Sequence, residues 1–412
     1  MSSPQSNKFF NTVSSDLKNQ TIAAPITGVG RSAIAVIAIA GPRANEVVQA
    51  CFTPASSLSL KADQVRYGTW GDKTDTKDAI AAESVVLTPI AEKHLEIHCH
   101  GGVAAIHRIV TALAAQGVKI VSAAEFARGH QPLLLAEATE MLSRCTTAKF
   151  ASIAMDQVRG SLLDWATEQP RRLAVSVNHG NIDAVLADIA VQASGILERG
   201  YLTSRLDLPW RVVLVGPPNV GKSSLVNAIV GFNRSITTDI AGTTRDVLHA
   251  ETVVDGIPLK LSDTAGLRVS EDPIEQEGVT RARREILSAD LVIQVGQYSD
   301  QEPSSGSSPS GEPEATANRP TLRIFNKSDL IAADTREDLK TQHPNALLVS
   351  AKTGDGLPEL LRRMVSDVES KLPGKGEPAT INQRQQDLID QIAKAPNAKV
   401  AMNALRDLIG QS

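Results

Sequence analysis

Gly216, Gly221, Lys222 and Ser223 stand at the spacing GxxxxGK[ST] inside the run RVVLVGPPNVGKSSLVNAIV. Each residue type there has a chemical use. Glycines let successive backbone N–H groups turn toward phosphate oxygens, and a helix that begins at the loop adds its partial positive charge. Lys222 would reach the β- and γ-phosphates of a nucleotide, and the Ser223 hydroxyl would ligate Mg²⁺. Asn219, Val220 and Ser224 complete the loop's expected contact set. This chemistry needs a strand before the loop and a helix after it. RVVLV is a β-branched run and SLVNAIV carries an apolar helix face, so the context is the required one.

Further segments follow in the order that a Ras-like GTPase requires. TTDIAGTTRD (237–246) is a threonine-rich loop from which Thr244 could complete the Mg²⁺ shell. DTAG (263–266) follows the strand LKLS, where Asp263 would hold Mg²⁺ through water and the Gly266 N–H would meet the γ-phosphate, flanked by Thr264 and Ala265. NKSD caps the strand TLRIF with Asn326, Lys327 and Asp329. A carboxylate at Asp329 can accept from guanine N1–H and from the exocyclic amine, a pairing adenine cannot match, so GTP is expected. Ser350, Ala351 and Lys352, after the strand ALLV, would support the base from its other side. Each tetrapeptide alone is as consistent with a turn or a cap. Together, each at a strand end and in this order, they point to a GTP site.

DTAG is followed by Leu267, where Ras has the glutamine that orients the attacking water. Leucine cannot do this. No arginine finger is evident either, and such a finger supplies about 10³–10⁵ in rate, or about 4–7 kcal/mol of transition-state stabilisation. Other groups must replace both.

The elements that position these loops lie within a chain of 412 residues, long enough for two or three cores. A formal net charge of −4 argues against a broad nucleic-acid-coating surface, leaving room for a local basic patch. Three widely spaced cysteines, Cys51, Cys99 and Cys145, build neither a disulfide framework nor a structural zinc site. Without a signal-peptide core or a span-length apolar run, the expected setting is the cytoplasm, away from membranes.

Residues 1–20 read as a polar tail. AIAVIAI (33–39), SVVL (84–87), HLEIH (94–98) and KIV (119–121) read as strands, with a helix over VAAIHRIVTALAAQ, which gives a small α+β domain over 21–124. From 125 to 207 the recurrence is helical, and QRQQDLIDQIAKA and KVAMNALRDLIG repeat that character within 376–412. The expected architecture is thus an α/β Ras-like P-loop domain over 208–375, inserted in an α-helical domain and preceded by the α+β domain. A separate C-terminal helical hairpin is the alternative. Residues 296–320, rich in Ser, Pro, Gly and Glu, read as disordered although they join two strands expected to be parallel neighbours. His98 and His100 share a strand face, but no third ligand stands at a telling spacing for a metal.

PNVGKSSLVNAIVG, TDIAGTTRDVL, VDGIPLKLSDTAGLR and EQEGVTRAR strongly resemble the G domain of the bacterial tRNA-modification GTPases of the MnmE (TrmE) family. LEIHCHGG, TIAAPITGVGRSAIAVIAIAGP and AAEFARG resemble that family's flanking domains more weakly. The resemblance implies a homodimer through the N-terminal domain and the G domains, with K⁺ in the arginine finger's place. It assigns the K⁺ to Asn219, Thr243 and the carbonyls of Thr238 and Ile240, and the water-orienting acid to Glu275, whose other reading is a solvated glutamate at a helix start. It also implies a flavoprotein partner of the MnmG/GidA type, tRNA as the modified partner, and a one-carbon tetrahydrofolate in the N-terminal domain. Against folate, the family's Pro-Pro-Gly-Arg-Gly-Gly turn is reduced to TGVGRSA and a Gly-Glu-Asp loop before LEIHCHGG is missing. The family's tail carries a Cys-Ile-Gly-Lys-like motif, whereas NALRDLIGQS has no cysteine and Cys145 reads as a packed helical residue. Modification in the usual way is therefore not expected. The rival reading is a divergent GTP-driven switch for a protein or RNA partner. A ribosome-assembly GTPase of the Era or Der kind is a weaker third.

Overall fold

The structure is a computed structural model and describes residues 20–28, 30, 32–56, 64–71, 82–234, 249–263, 284–298 and 320–411. It divides into two compact bodies. One comprises Met1–Ser143, Met155–Leu197 and Gly376–Ser412, the other Arg144–Ala154 and Glu198–Lys375.

The first body begins with β1 (Ile22–Pro25), β2 (Ile34–Ala40), α1 (Ala44–Cys51), β3 (Phe52–Pro54), β4 (Arg66–Trp70), β5 (Glu83–Ala91), β6 (His94–His100), α2 (Val103–Ala115) and β7 (Lys119–Ile120). The strands form one sheet in the order β3-β4-β5-β6-β2-β1-β7, antiparallel except for β1 beside β7. Period-two alternation explains its core: Leu95, Ile97 and Cys99 of β6 face Ile37 and Ile39 of β2, and Val48, Ile109 and Leu113 of α1 and α2 cover them. A capping box between Ser122 and Glu125 opens α3 (Ala123–His130). Then come α4 (Leu133–Arg144), α5 (Ala148–Val158), most of which belongs to the second body, α6 (Ser161–His179) and α7 (Ile182–Thr203), whose last turn belongs to the second body as well. The helical core of this body is shared by Leu134, Leu162, Leu173, Ile189 and Ile196 with Ile389, Leu405 and Leu408 from beyond Gly376.

The second body is built on β8 (Trp210–Val215), α8 (Lys222–Arg234), β9 (His249–Val254), β10 (Ile257–Asp263), α9 (described over 284–288), β11 (Leu291–Gln297) and β12 (Thr321–Asn326). A 3-10 turn at Ser328–Leu330, α10 (Ala333–Gln342), β13 (Leu347–Leu348) and α11 (Leu357–Glu369) complete it. Its sheet runs β13-β12-β11-β8-β10-β9, parallel except for the β9–β10 hairpin. Strands buried on both faces, such as Val212–Leu214 and Leu291–Ile293, read as continuous apolar runs for that reason. The hairpin turn falls on Asp255 (φ 48°) and Gly256 (φ 78°), the double left-handed turn that an Asp-Gly pair favours. In the first body again, α12 (Gln383–Ala393) and α13 (Ala398–Ile409) pack on each other, and α13 packs on α6.

Two expectations change. Gly296 and Gln297, read as the start of a disordered segment, lie in β11 and pair in register with Phe325 and Asn326. Cys145 follows the end of α4 and is half-buried, not packed in a helical core. The tail 1–19 and residues 299–319 lie outside the described residues.

Candidate functional site

The phosphate loop links β8 to α8, and two of its positions leave no room for a side chain. Gly216 has φ 145°, and a Cβ there would stand 2.1 Å from the Val295 carbonyl oxygen. Gly221 has φ 91°, and a Cβ there would stand 2.5 Å from Asn326 Nδ2. Asn219 itself takes φ 60°, a left-handed conformation that asparagine tolerates better than most side chains. The loop ends on α8, whose first turn carries no acidic residue of its own, so its N–H groups present a positive end to the loop.

Lys222 is buried, and its Nζ donates to the carbonyls of Gly216 and Pro217 at 2.8 Å each. Ser223 Oγ meets Asp263 Oδ2 at 2.5 Å, which brings together a hydroxyl and a carboxylate from segments 40 residues apart. Both are hard oxygen donors of the kind that suits Mg²⁺.

The NKSD segment is tied to the phosphate loop from the other side. Asn326, at the end of β12, donates from Nδ2 to the Val220 carbonyl (2.8 Å) and accepts at Oδ1 from the Ala351 N–H (3.1 Å). Lys327 (φ 62°) donates from Nζ to the Asn219 carbonyl and to Gln297 Oε1, both at 2.8 Å. Asp329 accepts at Oδ1 from the Ser350 hydroxyl at 2.7 Å. That hydrogen bond holds the Asp329 carboxyl below its ordinary value against a smaller opposing effect of desolvation. Ser350 is fully buried, and its Oγ also accepts from the Thr353 N–H at 3.2 Å. Lys352 follows on the exposed side of the same turn.

Val215, Asp263, Asn326 and Leu348 end β8, β10, β12 and β13, so all these groups gather at the carboxyl edge of the parallel strands. That is where open α/β sheets bind ligands. Gln297 was missed because the reading from sequence placed it in a disordered segment. Its signal was position, the last residue of an apolar strand-like run. Thr238, Ile240, Thr243, Thr244, Thr264, Ala265, Gly266 and Glu275 lie outside the described residues.

At the amino ends of β8 and β11 a second polar cluster serves the body's structure. Buried Asp290 accepts from Arg205 Nη1 (2.8 Å) and Nη2 (3.1 Å), from the Tyr201 hydroxyl (2.8 Å) and from the Arg211 N–H (2.9 Å). In the first body, His98 and His100 pair with Glu96 (3.3 Å) and Glu83 (2.6 Å). Among the described residues no group of three or more His, Cys, Asp or Glu side chains could hold a metal ion. Burial pushes the Cys99 and Cys145 thiols up to about 11, which favours the protonated form at neutral pH. No helix among the described residues is long and apolar enough to cross a membrane.

A parallel sheet with a phosphate loop after its central strand, and with base-reading side chains at the same edge, defines a P-loop GTPase domain. Residues 211–327 match the family described as 50S ribosome-binding GTPase, and residues 21–129 match the one described as GTP-binding protein TrmE N-terminus. The tRNA modification GTPase MnmE of Synechococcus sp. (strain RCC307) is 32% identical over 90% of this chain and 86% of its own length. MnmE of Synechococcus sp. (strain WH7803) is 33% identical over 94% and 90%, and that of Chloroflexus aurantiacus 32% over 95% and 92%. The chain belongs to the MnmE (TrmE) family of GTPases.

Proposed function

We propose that this protein hydrolyses GTP in support of tRNA wobble-uridine modification, as a homodimer working with a flavoprotein of the MnmG/GidA type. The observation that carries this reading is the convergence of Lys222, Ser223, Asp263, Asn326 and Asp329 at one sheet edge, in a chain related to MnmE over nine-tenths of its length. In the proposal a G domain over 208–375 is inserted in a helical domain, and a TrmE-like domain precedes both.

Each residue then has a task. Asn219 to Ser224 wrap the phosphates with backbone N–H groups, and Lys222 exchanges its two loop carbonyls for phosphate oxygens. Ser223 and Asp263, with Thr244, would hold Mg²⁺, which neutralises charge on the β- and γ-phosphates. Asp329, fixed by Ser350, accepts the two guanine donors, while Asn326 and Lys327 hold the phosphate loop against the base loop. The assignments of Glu275 and Gly266 to catalysis, and of Asn219, Thr238, Ile240 and Thr243 to K⁺, rest on the family's motifs in this sequence.

A second reading keeps the GTPase and discards the modification, leaving a switch for a protein or RNA partner. The reduced turn TGVGRSA, on the side where the family holds folate, favours it. Complementation separates the two. The protein would be expressed in a strain lacking its own MnmE, and wobble uridines read by mass spectrometry. Restored modification is expected on the first reading. Intact GTP hydrolysis with no restoration would leave only the switch.

A further inference from the structure

Among the described residues, only Asn219, Asp255 and Lys327 are non-glycines at positive φ. Such conformations are strained and persist where surrounding contacts over-determine them. Asp255 belongs to a hairpin turn that suits it. Asn219 and Lys327 are joined to each other, since the Lys327 ammonium donates to the Asn219 carbonyl. Gln297 Oε1 is the other acceptor on that ammonium, at 2.8 Å.

Gln297 is placed there by strand register. It closes β11 directly opposite Asn326 in the β11–β12 pairing, so both side chains lie at the same edge of the sheet. Asn326 binds the Val220 carbonyl and Lys327 the Asn219 carbonyl, so two adjacent peptide groups of the phosphate loop are held by two adjacent residues of the base loop. Asn326 is buried and held on its other side by the Ala351 N–H. Lys327 is longer, half-exposed and flexible, and Gln297 supplies its second fixed point.

We propose that Gln297 is a positioning residue for nucleotide binding, holding Lys327 against Asn219 so that the phosphate loop and the base loop stay in register. This rests on the reading of the site as a GTP site. Loss of the acceptor frees the lysine, loosens the Asn219 carbonyl and speeds nucleotide release. Gln297 is exposed and competes with water for the lysine, so the effect is about threefold to tenfold in rate and not larger.

The test uses the full chain. Gln297→Met removes the acceptor at similar length, and Gln297→Glu restores one. Dissociation of a fluorescent GDP is followed by stopped flow, beside thermal melting of the nucleotide-free protein. The expected result is a threefold to tenfold faster release from Gln297→Met, release within about twofold of the parent from Gln297→Glu, and melting temperatures that do not separate the three proteins. Parent-like release from Gln297→Met overturns the proposal. So does fast release that Gln297→Glu fails to rescue, or that tracks a lowered melting temperature. A parent protein that binds no fluorescent GDP would instead overturn the GTP reading itself.

Discussion

The Ser350 hydroxyl, fully buried and bonded to Asp329 Oδ1, decides how that carboxylate is presented. One oxygen is held and the group stays ionised, so two acceptor sites are aimed before any base arrives. Asp329→Asn replaces half of that acceptor capacity with a donor. A guanine N–H left facing it loses about 1–3 kcal/mol. The amide can donate to the C2 carbonyl of xanthine, so competition binding should move toward xanthosine triphosphate. An unchanged preference between the two nucleotides would remove Asp329 as the base reader. The sign of the pH dependence follows from the same bond. A carboxyl held below its ordinary value of 3.8 is ionised at every pH above that, so guanine affinity should be flat from neutrality into mild acid and fall only as pH drops through the folded value.

One strand, β11, carries a non-local polar anchor just outside or at each end: Asp290 precedes it and Gln297 closes it. Burial alone would raise the Asp290 pKa, but Arg205, the Arg211 N–H and the Tyr201 hydroxyl outweigh it and hold the carboxyl below 3.8. Asp290→Asn leaves the Arg205 guanidinium without its counter-charge, and breaking a buried pair in this way costs about 3–5 kcal/mol. Urea unfolding should show that loss at neutral pH. A depressed folded pKa means the contribution is present above the unfolded value and lost as pH falls through the folded one, so parent and variant should converge in strong acid. Equal stability at neutral pH would contradict the account. Neither anchor was legible in the sequence, since Asp290 and Gln297 reach their partners only through parallel pairing across long connections. The groups that were legible are local: Gly216, Gly221, Lys222 and Ser223 obey a turn-and-helix rule within eight residues, and Asp263, Asn326 and Ser350 each follow an apolar strand. β3, of three residues, is too short to show a period, and β1 and β4 escaped the pattern reading as well.

For the molecule as a whole, the family resemblance pairs two G domains around K⁺, and that has a measurable sign. GTP hydrolysis per molecule should be faster in K⁺ than in Na⁺ and should rise with protein concentration, since the resemblance implies both K⁺ in the arginine finger's place and pairing of the G domains. Equal rates in both salts at every concentration would remove K⁺ from the mechanism. The discontinuous first body carries a different consequence, which concerns the growing chain. Leu162, Leu173, Ile189 and Ile196 leave the ribosome well before Ile389, Leu405 and Leu408, the residues that share their core. The gap is roughly two hundred residues, and at about 5–20 residues per second it lasts roughly ten to forty seconds. Throughout that interval the leucine and isoleucine faces of α6 and α7 lack the part of their cover that Ile389, Leu405 and Leu408 supply. The helical core of the first body is therefore completed only on the arrival of α12 and α13, the last helices of the chain to be made.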